Sequence, residues 1–106
     1  AKYLNIPAVC VIYLWHMENT SRKLERVIKG FANHRRLEML ALLKKKPELS
    51  VEEIADAFDM NYQNASDHLR KLAIAGLVLK RYDSTSVRHR LTDRALAVLG
   101  FCTNLS

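Results

Sequence analysis

Ser50-Val51-Glu52-Glu53-Ile54-Ala55-Asp56-Ala57-Phe58-Asp59-Met60-Asn61-Tyr62-Gln63-Asn64-Ala65-Ser66-Asp67-His68-Leu69-Arg70-Lys71-Leu72-Ala73-Ile74-Ala75-Gly76 is the stretch that decides how this chain folds. Its opening residues have the S-x-x-E form of a capping box, in which Ser50 and Glu53 satisfy orphan backbone donors at a helix start. Ile54, Ala55 and Phe58 then form the inward side of a short helix. The acidic residues Glu52, Glu53 and Asp56 complement the positive end of its dipole. Asp59-Met60-Asn61 breaks the helical pattern: Asp tolerates the left-handed backbone of a tight turn, Met60 can plug the core, and Asn61 is a good N-cap. A second helix starts at Tyr62, with Ala65, Leu69, Leu72 and Ala73 inward. It stops at Gly76, whose missing Cβ suits a helix C-terminus.

Working upstream, Leu24, Val27, Ile28 and Phe31 recur at three- and four-residue steps, which predicts an amphipathic helix from about Ser21 to Ala32. Another helix is expected from His34 to Lys46, with Leu37, Leu40, Ala41 and Leu43 inward and Pro47 ending it. The polar run Glu18-Asn19-Thr20-Ser21 resembles a helix opening, so residues 1–20 are set apart as an N-terminal extension, either a non-native start or a dimer-contacting segment. Residues 21–104 form the domain. Downstream, Leu77 to Tyr82 and Val87 to Leu91 are β-prone and flank Asp83-Ser84-Thr85-Ser86, so they read as a hairpin with a four-residue loop. Thr92-Asp93 caps a last helix. The fold is therefore mainly α with a small β-hairpin, in the order α-α-α-α-β-β-α, the layout of a winged helix-turn-helix.

Across 106 residues, 17 Lys and Arg against 11 Asp and Glu give a net charge of +6, which favours a polyanionic partner through counterion release. The charge is uneven. Residues 1–46 hold ten basic and three acidic side chains, residues 47–76 two and six, and residues 77–106 five and two. The acidic middle third follows from the helix start at Ser50 and does not oppose binding to nucleic acid. Cys10 and Cys102 stand far apart without a C-x-x-C or Cys/His ligand spacing, which suggests a reducing, cytoplasmic setting. They read as packing residues, with a thiol switch as the alternative. His16, His34, His68 and His89 show no metal spacing, and His68 reads as a bracing or packing residue beside the last-named helix. The apolar run Ile6 to Trp15 is about half the ~20 residues needed to cross a bilayer, so no membrane span is expected. Nucleophile motifs, phosphate-binding glycine loops and carboxylate pairs are missing, which argues against an enzyme.

Over residues 22–99 the chain resembles the arsenic-repressor (ArsR) type of winged-helix transcription factor. The resemblance rests on Phe31-Ala32-Asn33-His34-Arg35-Arg36-Leu37, Leu49-Ser50-Val51-Glu52-Glu53-Ile54-Ala55, Ser66-Asp67-His68-Leu69-Arg70-Lys71-Leu72 and Ala75-Gly76-Leu77-Val78. It implies a prokaryotic, nucleoid-associated regulator. It also implies a homodimer joined by its terminal helices, with two reading helices about 34 Å apart on a roughly palindromic double-stranded DNA site. Metal-sensing members carry a Cys-x-Cys pair where this chain has Ser50 and Glu52, so neither metal nor other cofactor is expected.

With Ala65 set inward, ~100° per residue turns Gln63, Asp67, Arg70 and Ile74 outward, flanked by Asn64, Ser66 and Lys71. Gln and Asn can pair in bidentate fashion with adenine, and Arg with guanine, while Asn61, Tyr62 and Ser66 can reach phosphate or base edges. Gln63 and Asn64 are the strongest candidates for reading sequence. Asp67 either accepts from cytosine or, more simply, holds Arg70 one turn away. If Tyr82 pairs with Val87, then Val78, Lys80, Tyr82, Val87, His89 and Leu91 share one face of the hairpin and Leu79, Arg81, Arg88 and Arg90 the other. The three arginines, with Ser84 and Thr85 at the tip, fit phosphate contact. Arg36 either touches phosphate or braces the reading helix, and Arg35 is expected to be solvated. The rival reading is a winged-helix module that holds another protein. The polar Gln63/Asn64 turn beside an arginine-bearing wing argues against that module.

Overall fold

The computed structural model describes the backbone of residues 8–106 and side chains from residue 20 onward. Five helices and one hairpin follow in the order expected: α1 (Ala8–Phe31), α2 (His34–Lys45), α3 (Val51–Ala57), α4 (Tyr62–Ile74), β1 (Val78–Asp83), β2 (Ser86–Leu91) and α5 (Asp93–Leu105). Cys10 and His16 lie outside the residues whose side chains are described.

The structure corrects the first boundary. No helix begins at Ser21, because α1 runs unbroken from Ala8, and neither proline nor glycine interrupts residues 8–29. Polar residues such as Glu18 to Ser21 are tolerated inside a helix whose backbone bonds are already made. The later caps form as read. Asn33 Oδ1 accepts from the Arg35 and Arg36 N–H groups, the Ser50/Glu53 capping box closes in both directions, and Asn61 Oδ1 accepts from Asn64 N–H at 2.8 Å. Thr92 caps α5 through Ala95 N–H.

The α3–α4 turn rests on Asp59, which takes φ 49°, in the left-handed region that Asp accepts at modest strain. Past α4, Gly76 takes φ 77°. Around it Thr92 Oγ1 donates to Gly76 O at 2.7 Å and Arg94 Nη1 to Ala75 O at 2.9 Å, so the start of α5 ties off the end of the second motif helix.

The hairpin is tighter than expected. Asp83 pairs with Ser86, leaving a two-residue turn at Ser84 and Thr85 in place of a four-residue loop. The Asp83 carboxylate accepts from Ser84 N–H at 3.0 Å, an aspartate-stabilised turn that lets the ladder continue to the tip. The register Tyr82↔Val87 is the one on which the two faces were assigned.

The core joins Met39, Leu40 and Leu43 of α2, Ile54 of α3, Leu69 and Leu72 of α4, and Leu77, Val78 and Ala95. A buried leucine of this kind contributes about 1.5–3 kcal/mol. Two details differ from the periodicity. Ala41 is exposed while Met39 is fully buried, because α2 turns its Met39–Leu40–Leu43 edge to the core. Ala75, one position past α4, is buried more deeply than Ala73. Its neighbour is Gly30: a Cβ built there would stand 2.5 Å from the Ala75 Cβ, so glycine lets the end of α1 lie against α4.

Candidate nucleic-acid interface

The first turns of α4 carry the reading candidates. Tyr62 is 52% exposed, Gln63 and Asn64 are exposed, and Ser66 and Asp67 sit half-buried at the side of the same helix. Asn61 spends its side-chain oxygen on the cap. Further along the outer face Asp67 accepts from Arg70 and lies 3.2 Å from Lys71 Nζ, so one carboxylate pairs with two cations. Bonds from Arg70, and then Lys71, hold the Asp67 carboxyl below the usual carboxylate range. Ile74 points outward as the helical wheel requires and is 74% exposed.

Between these turns and the hairpin lies an open cleft of about 650 Å³ whose walls include Glu53, Tyr62, Ser66, Lys80, Tyr82 and Arg88. Thr85 lies on its rim, and Ser84 beside it at the hairpin tip and Arg90 on β2 are exposed. Lys80 was not singled out from the sequence. Its place on the same hairpin face as Tyr82 was legible, but its position across from α4 depends on how the hairpin docks.

Arg35, Arg36, Arg81 and Arg88 are engaged by partners within the protein. Arg36 Nε donates to His68 Nδ1 at 3.2 Å, and its Nη1 donates to the carbonyls of Lys29 and Gly30. One side chain thus ties the end of α1 and the start of α2 to α4. Burial first, and then the Arg36 charge, pushes the His68 pKa down and keeps its ring an acceptor. Arg35 is not simply solvated: it pairs with Glu38 at 3.2 Å and its guanidinium stacks 5.9 Å from the Phe58 ring centroid, since α2 packs beside the end of α3. Arg81 binds Glu48 through Nε and Nη2 at 2.9 Å, and Arg88 Nη1 binds Glu53 at 2.8 Å and Glu48 O at 3.2 Å.

His89 is the functional-looking residue whose place the sequence concealed. It is buried at 1% exposure, and its Nδ1–H donates to Leu49 O at 2.9 Å. The same carbonyl accepts from His89 N–H at 3.0 Å, and Glu48 N–H donates back to His89 O at 3.0 Å. A single bridge at Leu49 therefore extends the hairpin, holding it against the segment before α3. Burial depresses the His89 pKa against the opposing effect of the Leu49 bond.

The Ser50 hydroxyl is used by the helix cap. Among the described residues no group of three or more His, Cys, Asp or Glu converges to hold a metal ion, and no helix is long and apolar enough to cross a membrane.

A helix-turn-helix domain model matches residues 31–81. The transcriptional activator HlyU of Vibrio cholerae is 35% identical over 80 residues, which span 76% of this chain and 73% of that protein. The chain belongs to the ArsR-type winged helix-turn-helix regulators. Among solved structures, a winged helix-turn-helix DNA-binding domain of Mycobacterium bovis superposes with TM-score 0.75 at 32% identity, covering 83% of this chain and 82% of that one. That domain is described as homodimeric and as a possible ArsR-family regulator. A helix-turn-helix-type regulator of Mycobacterium tuberculosis is 42% identical over 74 residues, though the match spans only 32% of that longer protein. These relatives are named as transcriptional regulators, and in the shared fold α3–turn–α4 is the helix-turn-helix and β1–β2 the wing.

Proposed function

We propose that this regulator is a homodimeric, sequence-specific double-stranded DNA-binding repressor, with residues 62–72 in the major groove and the 78–91 hairpin as the wing. The observation that carries the proposal is the exposed Tyr62-Gln63-Asn64 turn facing a basic wing across an open cleft. Gln63 and Asn64 read base edges, Tyr62, Ser66, Arg70 and Lys71 flank them, and Ser84, Thr85 and Arg90 approach the backbone. Asn61 and Asp67 contribute by setting the start and the charge of the reading face. Arg36, Arg81 and Arg88 could add phosphate contacts only by leaving the protein partners described above.

The dimer is proposed on the terminal helices. Residues 21–104 form the DNA-binding unit, and residues 8–20 lengthen its first helix. Leu24 at 53%, Ile28 at 49% and Phe101 at 59% exposure line an apolar groove of about 440 Å³ between α1 and α5. A second copy covers that surface and spaces the two α4 helices for successive major grooves, about 34 Å apart. The working place is the bacterial cytoplasm, on the nucleoid.

Repression follows where the bound dimer overlaps a promoter and excludes polymerase. The Vibrio cholerae relative carries the name of an activator, so a reporter with the site placed over or upstream of the promoter decides the sign. Selection of bound fragments from random duplex DNA is the primary test. A shared, roughly palindromic site is expected, and Asn64→Ala should relax specificity at one or two of its positions. DNA binding that is absent, or insensitive to salt, would leave the protein-interaction module as the better reading.

A further inference from the structure

Two of the three wing arginines, Arg81 and Arg88, bond to one residue, Glu48. Glu48, in the loop between α2 and α3, has φ 69°, a left-handed backbone that a glutamate adopts only under restraint. The wing supplies the restraint on three sides. Glu48 N–H donates to His89 O at 3.0 Å, Glu48 O accepts from Arg88 Nη1 at 3.2 Å, and the Glu48 carboxylate takes Arg81 Nε and Nη2 at 2.9 Å.

Arg88 extends the hold to α3. The Glu53 oxygen that it binds at 2.8 Å also accepts from Ser50 N–H at 3.1 Å, so the helix cap and the wing share one carboxylate atom. Arg81 and Arg88 stand directly opposite each other in the ladder. Like charges in that position repel, and here Glu48 and Glu53 each take up one of them.

We propose that Arg88, assisted by Arg81, is a positioning residue: it latches the wing to the Glu48 loop and the Glu53 cap, fixing the angle between wing and α4, and makes no phosphate contact. The inference rests on the DNA-binding reading. Phosphate contact on the wing then falls to Lys80, Arg90 and the Ser84–Thr85 tip.

The test uses Arg88→Gln, Glu53→Gln and the double variant, the glutamine at 53 keeping an oxygen for the Ser50 cap. Affinity for the selected duplex is measured from low to moderate salt. Both single changes should weaken binding by roughly three- to tenfold, with the double no worse than the weaker single, as for two halves of one contact. The slope of log affinity against log salt should stay at the parent value. Without DNA, hydrogen exchange at Leu79, Arg81 and Arg90, whose amides lie at hydrogen-bonded positions of the ladder, should accelerate in both variants.

Two results would overturn the latch. One is a salt slope shallower by about 0.9 for each Arg88 removed, the signature of a lost phosphate contact. The other is tighter binding by Glu53→Gln, which would show that the carboxylate competes with DNA for Arg88. If the unmodified chain binds no duplex, the DNA-binding reading fails, and the exchange rates still judge the latch: unaltered wing exchange in both variants would sink it.

Discussion

Replacing His89 by leucine isolates what a buried, uncharged imidazole does for this fold. The His89 pKa is depressed below its ordinary 6.5, chiefly by burial. Above pH 6.5 the ring is neutral in folded and unfolded chains alike, and its contribution is fully present. As pH falls from 6.5 toward the lower folded value, the unfolded chain binds a proton that the folded chain refuses, so stability falls. Within that window the slope approaches about 1.4 kcal/mol per pH unit at most. At pH 7.5 the leucine variant loses the Nδ1–H bond to Leu49 O, but that carbonyl keeps the His89 backbone N–H at 3.0 Å. No acceptor is orphaned and the side-chain volume is similar, so the expected loss is small, about 0.5–1.5 kcal/mol. For a domain of this size that corresponds to a Tm lower by roughly 2–12 °C. Urea unfolding followed by far-ultraviolet circular dichroism between pH 7.5 and 5 should show the two stability curves converging as pH falls, because the variant has lost one of the groups that resist protonation. Slope that remains comes from His68, whose pKa is depressed in the same direction, and toward pH 5 from Glu53, whose carboxyl is also lowered. If His89→Leu retains the full parental slope, the buried ring is not its source and the reasoning fails.

Three further outcomes follow from the same geometry. Gly30→Ala places a methyl group against the Ala75 Cβ and should destabilise by about 1–3 kcal/mol through overpacking, read as a lower urea midpoint; an unchanged midpoint would mean that α1 shifts freely on α4. Asp67→Asn frees Arg70 and Lys71 and should tighten nonspecific duplex binding several-fold with a steeper salt slope in a fluorescence titration, whereas weaker binding would assign Asp67 a base contact. Phe101→Asp, on the exposed edge of the α1–α5 groove, should turn a sedimenting dimer into a monomer with far-ultraviolet dichroism of the folded chain retained, and a dimer that persists would move the interface elsewhere.

Legibility from sequence followed the range of the interactions. The capping box at Ser50, the cap at Asn61, the left-handed Asp59 and the terminal Gly76 are set by hydrogen bonds and backbone sterics within about four residues, and each was readable from its own neighbours. The start of α1 was not, since a polar run inside a helix and one before it look alike until the backbone bonds are drawn. The hairpin register was readable through alternation, but its two-residue turn depended on Asp83 bonding its own neighbour.

What the sequence by itself determined is therefore the succession of elements, the helix-turn-helix and the outward face of α4, because periodicity and caps are local. What only the tertiary structure decided is which charges remain available to a partner. Arg36, Arg81 and Arg88 look alike in the sequence to Arg90, yet contacts 32 to 40 residues away bind Arg36 to His68, Arg81 to Glu48, and Arg88 to Glu53 and the Glu48 carbonyl. A charge is free or committed according to what folds against it, and no spacing along the chain records that.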